Sequence, residues 1–103
     1  MIKILFVISN LIKPENYLEI GVRRGRSISI VAKNSPLCEL YAFDMWIENY
    51  TGVKNPGPII VKKELKKIKH KGKIHFFNGN SRRTIPDFKL KNPKVYFDMI
   101  CID

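Results

Sequence analysis

Asn16-Tyr17-Leu18-Glu19-Ile20-Gly21-Val22-Arg23-Arg24-Gly25-Arg26-Ser27, continued through Asn34 and followed by Leu40-Tyr41-Ala42-Phe43-Asp44, decides the architecture of this chain. Asn16 to Ile20 is a short apolar run ended by Gly21, and Leu40 to Phe43 is another ended by Asp44; both read as strands. The segment between them, Arg26 to Asn34, is ambiguous by periodicity. Ile28, Ile30 and the alternating serines suit a strand, whereas Ile28, Val31 and Ala32 suit one face of a helix. Chain logic favours the helix, because a strand, a glycine-bounded turn, some ten residues and a second apolar strand make a βαβ unit with a helical crossover.

The same logic extends toward the C-terminus. Asn49 to Pro58 gathers Gly52, Pro56, Gly57 and Pro58 into a loop, and Pro58 suits the first turn of a helix that runs to about Lys71. Val61, Leu65 and Ile68 make its apolar stripe, and Gly72 follows a basic last turn. Lys73 to Phe77 reads as a third strand, Ser81 to Phe88 as a short helix broken by Pro86, and Val95 to Ile102 as a fourth strand. Alternation of this kind predicts an α/β fold with a parallel sheet. Phe97, Met99, Ile100 and Ile102 ask for cover on both faces and a neighbour at the edge, so a sheet cut short after its fourth strand is expected at Asp103.

The 103 residues, 45% hydrophobic and 27% charged, suit one globular unit. Residues 1–15 read as an N-terminal helix or lead-in segment. That apolar opening carries Lys3 and Asn10 and no small-residue cleavage site, and no run approaches the ~18 apolar residues of a membrane span. A cytoplasmic protein with no membrane partner is expected. Nineteen Lys and Arg against nine acids give a formal charge of +10, concentrated between Lys62 and Lys73. Such a run is a solvated helix face or a non-specific attraction for polyanions. Cys38 and Cys101 lie in apolar segments, and His70 and His75 have no partners at ligand spacing, so no metal site is expected.

In open α/β sheets ligands bind beyond the carboxyl ends of the strands. All four predicted strand ends carry suitable residues. After the first comes the Gly21-to-Gly25 turn; after the second Asp44, placed roughly 20 residues past the turn, where a carboxylate binds ribose hydroxyls. After the third comes Asn78-Gly79-Asn80-Ser81, and after the fourth Asp103.

With its E-I-G-x-x-x-G-x-S motif at Glu19 to Ser27 and F-D-x-I-x-I-D motif at Phe97 to Asp103, the chain resembles the class I S-adenosylmethionine-dependent methyltransferases that act on small molecules. Tyr41 to Trp46, the Asn55-to-Pro58 loop and Gly79-Asn80-Ser81 with Ile85-Pro86 extend the resemblance over Asn16 to Asp103. It implies a Rossmann-like sheet in the order 3-2-1-4, with residues 16–103 as the cofactor-binding half of the domain and the cofactor S-adenosylmethionine, or its product S-adenosylhomocysteine. By resemblance, Gly21, Val22 and Gly25 hold the methionine part of that cofactor, Glu19 supports the turn and Ser27 opens the helix. Asp44 binds the ribose, Met45, Asn80 and Ser81 border the rest of the nucleoside, and Asp103 faces the sulfonium and the methyl acceptor as candidate catalytic carboxylate. Substrate contacts would follow the fourth strand, so little activity is expected of these 103 residues alone.

Two positions depart from the family pattern. Arg23 stands where many members have glycine, and Asn80 where an acid usually accepts the adenine amino hydrogen; the lost charge assistance is worth about 1 kcal/mol. Each site residue also has a plainer reading: the glycines shape a turn, Asp44 caps a loop, and Asn80 with Ser81 caps a helix. Trp46 either borders the adenine or covers the helix that follows, and Arg23, Arg24 and Arg26 either meet a carboxylate or are solvated. The rival functions are an NAD-type dinucleotide binder, which normally shows G-x-G-x-x-G, and a basic nucleic-acid-binding module, which would weaken steeply with salt. The fourth strand could also pair with a second copy.

In the order 3-2-1-4 the second and fourth strands lie two ladder spacings apart, roughly 9 to 10 Å. A disulfide needs Cα atoms within about 7 Å. Non-reducing mass analysis is therefore expected to find no internal bridge between Cys38 and Cys101.

Overall fold

The computed structural model describes residues 2–46 and 57–103. Its elements in chain order are α1 (Ile2–Ile12), β1 (Asn16–Ile20), α2 (Arg26–Asn34), β2 (Glu39–Asp44), α3 (Pro58–Lys67), β3 (Ile74–Asn78), α4 (Ser81–Lys91) and β4 (Met99–Ile102). The four strands form one parallel sheet in the order β3-β2-β1-β4, the order that the family resemblance implies. Most of the Asn49-to-Pro58 loop lies outside the described residues; of it, Gly57 and Pro58 are seen at the start of α3.

Alternation along each strand sorts side chains onto two faces. Tyr17, Leu40, Ala42 and Met99 point to the face covered by α1, α2 and α3, where they meet Leu5, Ile28, Val31, Ala32, Val61 and Leu65. Leu18, Tyr41 and Phe43 point to the other, beneath Phe88 of α4 with Ile85, Val95 and Phe97 around it. Each large apolar side chain so buried contributes about 1.5–3 kcal/mol. Burial resolves the ambiguity of α2, because Ile28, Val31 and Ala32 turn inward together as a helical stripe.

Three boundaries differ from the sequence expectation, each for a tertiary reason. The third helix ends at Lys67 rather than Lys71, and Lys69 takes a left-handed φ of 59°. The chain then docks on the loop before β2: the Lys71 and Gly72 amides both donate to the Pro36 carbonyl. A Cβ on Gly72 would lie 2.1 Å from the Cys38 carbonyl oxygen, so this glycine serves that close approach rather than the helix end.

The fourth helix is not broken at Pro86 but continues to Lys91. Proline in a helix interior costs ~3 kcal/mol through its missing N–H and its clash with the previous turn. Phe88, two residues on, packs against the rings of Tyr41, Phe43, Phe77 and Phe97, which offsets that cost.

The fourth strand begins at Met99, not Val95. Val95 and Phe97 instead cover the α4 face, and Asp98 reaches back to the start of β1. Its two carboxylate oxygens accept from the Glu15 amide (2.8 Å) and the Asn16 amide (2.9 Å). Ile100 and Ile102 are exposed, and Ile4, Ile8 and Ile12 of α1 join Met99 and Ile100 along an open apolar groove of about 380 Å³. Cys38, just before β2, and Cys101 of β4 are both free, with β1 between β2 and β4.

Both histidines make structural contacts. His70 Nε2 donates to the Cys38 carbonyl at 2.8 Å. His75 stacks on Tyr41 with ring centroids 4.7 Å apart and donates from Nε2 to Glu39 Oε2 at 2.8 Å. The Tyr41 hydroxyl donates to the same oxygen at 2.7 Å. These hydrogen bonds, Tyr41 first and His75 second, hold the Glu39 carboxyl below its ordinary pKa. A lowered folded value means that the stability supplied by Glu39 is complete above the ordinary carboxylate pKa and is lost as pH falls through the folded one. Melting temperature followed from pH 6 to pH 3 is thus expected to fall less steeply in Glu39→Gln than in the parent.

Candidate functional site

Ladder hydrogen bonds carry on past the ends of the strands and draw three of them together. The Gly21 amide donates to the Phe43 carbonyl and the Asp103 amide to the Ile20 carbonyl, both at 2.9 Å. Gly21 therefore sits between the ends of β2 and β4. It has φ 85°, and a Cβ there would lie 2.9 Å from the Asp103 carbonyl oxygen, so both conformation and space demand glycine.

The turn that follows has left-handed backbone at alternate residues: Gly21, then Arg23 at φ 54°, then Gly25 at φ 88°. For an arginine that conformation costs about 1–2 kcal/mol. The Val22 carbonyl accepts from the Gly25 amide at 3.0 Å, while the Val22 side chain is buried in the core, leaving that residue only its backbone for a ligand. Gly25 abuts Val61 of α3, whose methyl carbons would lie 3.2 Å from an added Cβ. The helix α2 starts directly after it, with Ser27 buried in its first turn.

Asp44, at the end of β2, closes this turn. Its Oδ2 accepts from the Arg23 amide at 2.6 Å and its Oδ1 from the Trp46 amide at 2.8 Å. Each carboxylate oxygen keeps a second lone-pair direction, and the side chain is half-buried, so hydroxyl groups could still reach it. Trp46 is covered: its ring packs edge-on against Phe76 at 5.9 Å and its Nε1 donates to the Arg23 carbonyl at 2.9 Å. Neither the left-handed state of Arg23 nor this bond left a signal in the sequence, where Trp46 reads as a border of the adenine or as cover for the helix that follows. Met45 is exposed.

Asn80 and Ser81 lie on the outer side of β2, joined to it by the Gly79 amide, which donates to the Asp44 carbonyl at 3.1 Å. The Asn80 side-chain oxygen accepts from the Arg82 amide at 2.9 Å and caps α4, the plainer of its two readings. The structure thus brings Gly21 to Ser27, Asp44, Met45 and Asp103 together at the carboxyl ends of the strands, with Asn80 and Ser81 beside them. Among the described residues there is no group of three or more His, Cys, Asp or Glu able to hold a metal, and no helix long and apolar enough to cross a membrane.

Glu19 lies beneath the turn, fully buried, with Oε1 accepting from the Tyr17 hydroxyl at 2.6 Å. Among the described residues its Oε2 has no hydrogen-bond partner. Burial pushes the Glu19 carboxyl up to about 7; the Tyr17 hydrogen bond opposes that rise, the charges of Asp103 and Asp44 add to it, and nearby Ser27 opposes it weakly. Tyr17 is itself pushed up, first by burial and then by Glu19.

No family model and no curated protein matches this chain. Solved structures do match it. Against the methyltransferase PaMTH1 of Podospora anserina, solved with SAH, the chain is 20% identical, with 99% of this chain and 39% of that one covered and a TM-score of 0.68. Against the O-methyltransferase TomG of Streptomyces achromogenes, involved in tomaymycin synthesis and solved with SAM, it is 21% identical, with 99% and 42% covered and a TM-score of 0.74. The chain has the methyltransferase fold. It spans about two fifths of the length of these two solved structures.

Within this fold burial disfavours the charged form of Glu19. A folded pKa raised above the unfolded one gives stability that is present below the ordinary carboxylate pKa and lost as pH rises through about 7. The shift corresponds to a loss on the order of 3 kcal/mol. Between pH 5 and pH 8 the parent's melting temperature is expected to decline, and Glu19→Gln, which cannot ionise, to remove most of that decline.

Proposed function

We propose that this chain is the S-adenosylmethionine-binding part of a methyltransferase that acts on a small molecule. The observation that carries the reading is the convergence of the Gly21-to-Gly25 turn, Asp44 and Asp103 at the carboxyl ends of β1, β2 and β4 in a fold whose matched structures were solved with SAH and SAM. Glycines at 21 and 25 let a ligand approach the backbone closely. Asp44 keeps lone pairs for ribose hydroxyls, and Met45, Asn80 and Ser81 border the adenine. Glu19 and Ser27 support the turn from below, and Val22 contributes its backbone.

Bound S-adenosylmethionine supplies a methyl group on a sulfonium, open to in-line displacement by a nucleophile. The chain's own part is to position that group, since holding two partners in line supplies much of such a rate enhancement. Asp44 and Asp103 gather negative charge at this end of the sheet in a strongly basic chain, which suits a cationic ligand. In this reading Asp103, at the end of β4, faces the methyl group and its acceptor. Residues 16–103 form the cofactor half, preceded by the 1–15 lead-in, and a cytoplasmic location belongs to the same reading. Because the solved matches are more than twice as long, these 103 residues are proposed to transfer methyl groups weakly or not at all on their own.

A thermal melt with S-adenosylhomocysteine, NAD and a short DNA added separately tests the reading, because a ligand that prefers the folded state raises the midpoint. At a hundredfold excess over Kd, S-adenosylhomocysteine is expected to add about 2.7 kcal/mol, or upward of 10 °C for a domain of this size. Asp44→Ala should abolish that shift. A shift with NAD alone would move the assignment to a dinucleotide binder, and one with DNA alone would make the chain a basic nucleic-acid module.

A further inference from the structure

We infer that Trp46 is a positioning residue for the ligand turn, holding Arg23 in the left-handed conformation through its indole N–H. The functional consequence rests on the cofactor reading above; the clamp itself does not.

Of the three left-handed residues in the turn, Arg23 alone carries a side chain. Glycine would adopt this backbone freely, whereas arginine needs it imposed from outside. The imposition is visible at both ends of the residue. The Arg23 amide donates to Asp44 Oδ2 at 2.6 Å, and the Arg23 carbonyl accepts from Trp46 Nε1 at 2.9 Å. Trp46 is in turn fixed by its own amide, which donates to Asp44 Oδ1 at 2.8 Å, and by its ring against Phe76. Arg23, Asp44 and Trp46 so form a closed circuit of three hydrogen bonds. Trp46 is itself left-handed, at φ 45°, a second unfavourable conformation spent on the same circuit.

A plain packing role does not call for this arrangement. Ring burial against Phe76 would be served by phenylalanine in ordinary backbone geometry, yet the indole N–H is directed at the carbonyl of the one left-handed residue of the turn that carries a side chain. The clamp orders the turn before a ligand arrives, so that binding need not supply that ordering. An Arg at position 23 and a Trp at position 46 are therefore coupled: where 23 is glycine, the indole hydrogen bond loses its purpose.

The test compares the parent, Trp46→Phe, Arg23→Gly and the double variant. Phenylalanine keeps the apolar ring and removes the N–H. In the ligand-free protein, amide hydrogen exchange at residues 23–25 is expected to quicken about tenfold in Trp46→Phe while β1 and β2 amides keep their protection, and Arg23→Gly is expected to restore most of the loss. Affinity for S-adenosylhomocysteine should follow the same pattern, about tenfold weaker in Trp46→Phe and recovered in the double variant. Unchanged exchange at residues 23–25, loss of protection throughout the sheet, or no recovery in the double variant would each overturn the inference and leave Trp46 a core residue. Failure of the parent to bind S-adenosylhomocysteine would overturn the cofactor reading instead, while the exchange comparison still decides the clamp.

Discussion

Hydrogen bonds from both edges of β1, to β2 on one side and β4 on the other, set the arrangement of everything else. A strand paired on both edges and covered on both faces has no polar surface left except at its ends. Because all the strands run parallel, those ends fall together, and the turn leaving β1 must pass between the ends of β2 and β4. The Gly21 amide and the Ile20 carbonyl mark that passage, one bonded to Phe43 and the other to Asp103. The site is thus a consequence of parallel pairing, and only its side chains remain to be chosen.

Charge is distributed against the same frame. The lysines of α3 point outward at the chain's surface, while Glu19, Asp44 and Asp103 gather at the turn. Burial, and after it the charges of Asp103 and Asp44, disfavours the charged form of Glu19 and raises its pKa. At the opposite end of the sheet an acid does purely structural work: Asp98 accepts from two amides at the entry of β1 and locks the fourth strand to the first. Two acids close in sequence, Asp98 and Asp103, therefore lie at opposite ends of the sheet because one β-strand separates them.

Legibility in the sequence followed the range of the interaction. The strands β1 and β2 and the stripe Val61 and Leu65 are written in local periodicity, α2 follows from the order of the elements around it, and the limits of all three elements were readable nearly to the residue. The ends of α3, α4 and β4 were not, since each is set by a distant contact: Gly72 against Cys38, Phe88 among four rings, Asp98 on the amides of Glu15 and Asn16. At the site, the glycines and acids were legible as a spacing pattern. Caps by Asp44 and Asn80 were legible as their plainer readings, but which backbone amides those oxygens accept from was not, because an amide partner carries no residue identity to read.

The sequence alone determined an α/β chain with four short apolar strands, a glycine turn after the first and an acid after the second, because these are properties of neighbouring residues. Tertiary structure decided that Arg23 stands left-handed between Asp44 and Trp46, that Val22 turns into the core, and that Asn80 caps α4 with its side-chain oxygen. Those outcomes depend on which backbone groups are left without partners once the sheet has formed. Only the assembled fold determines which groups those are.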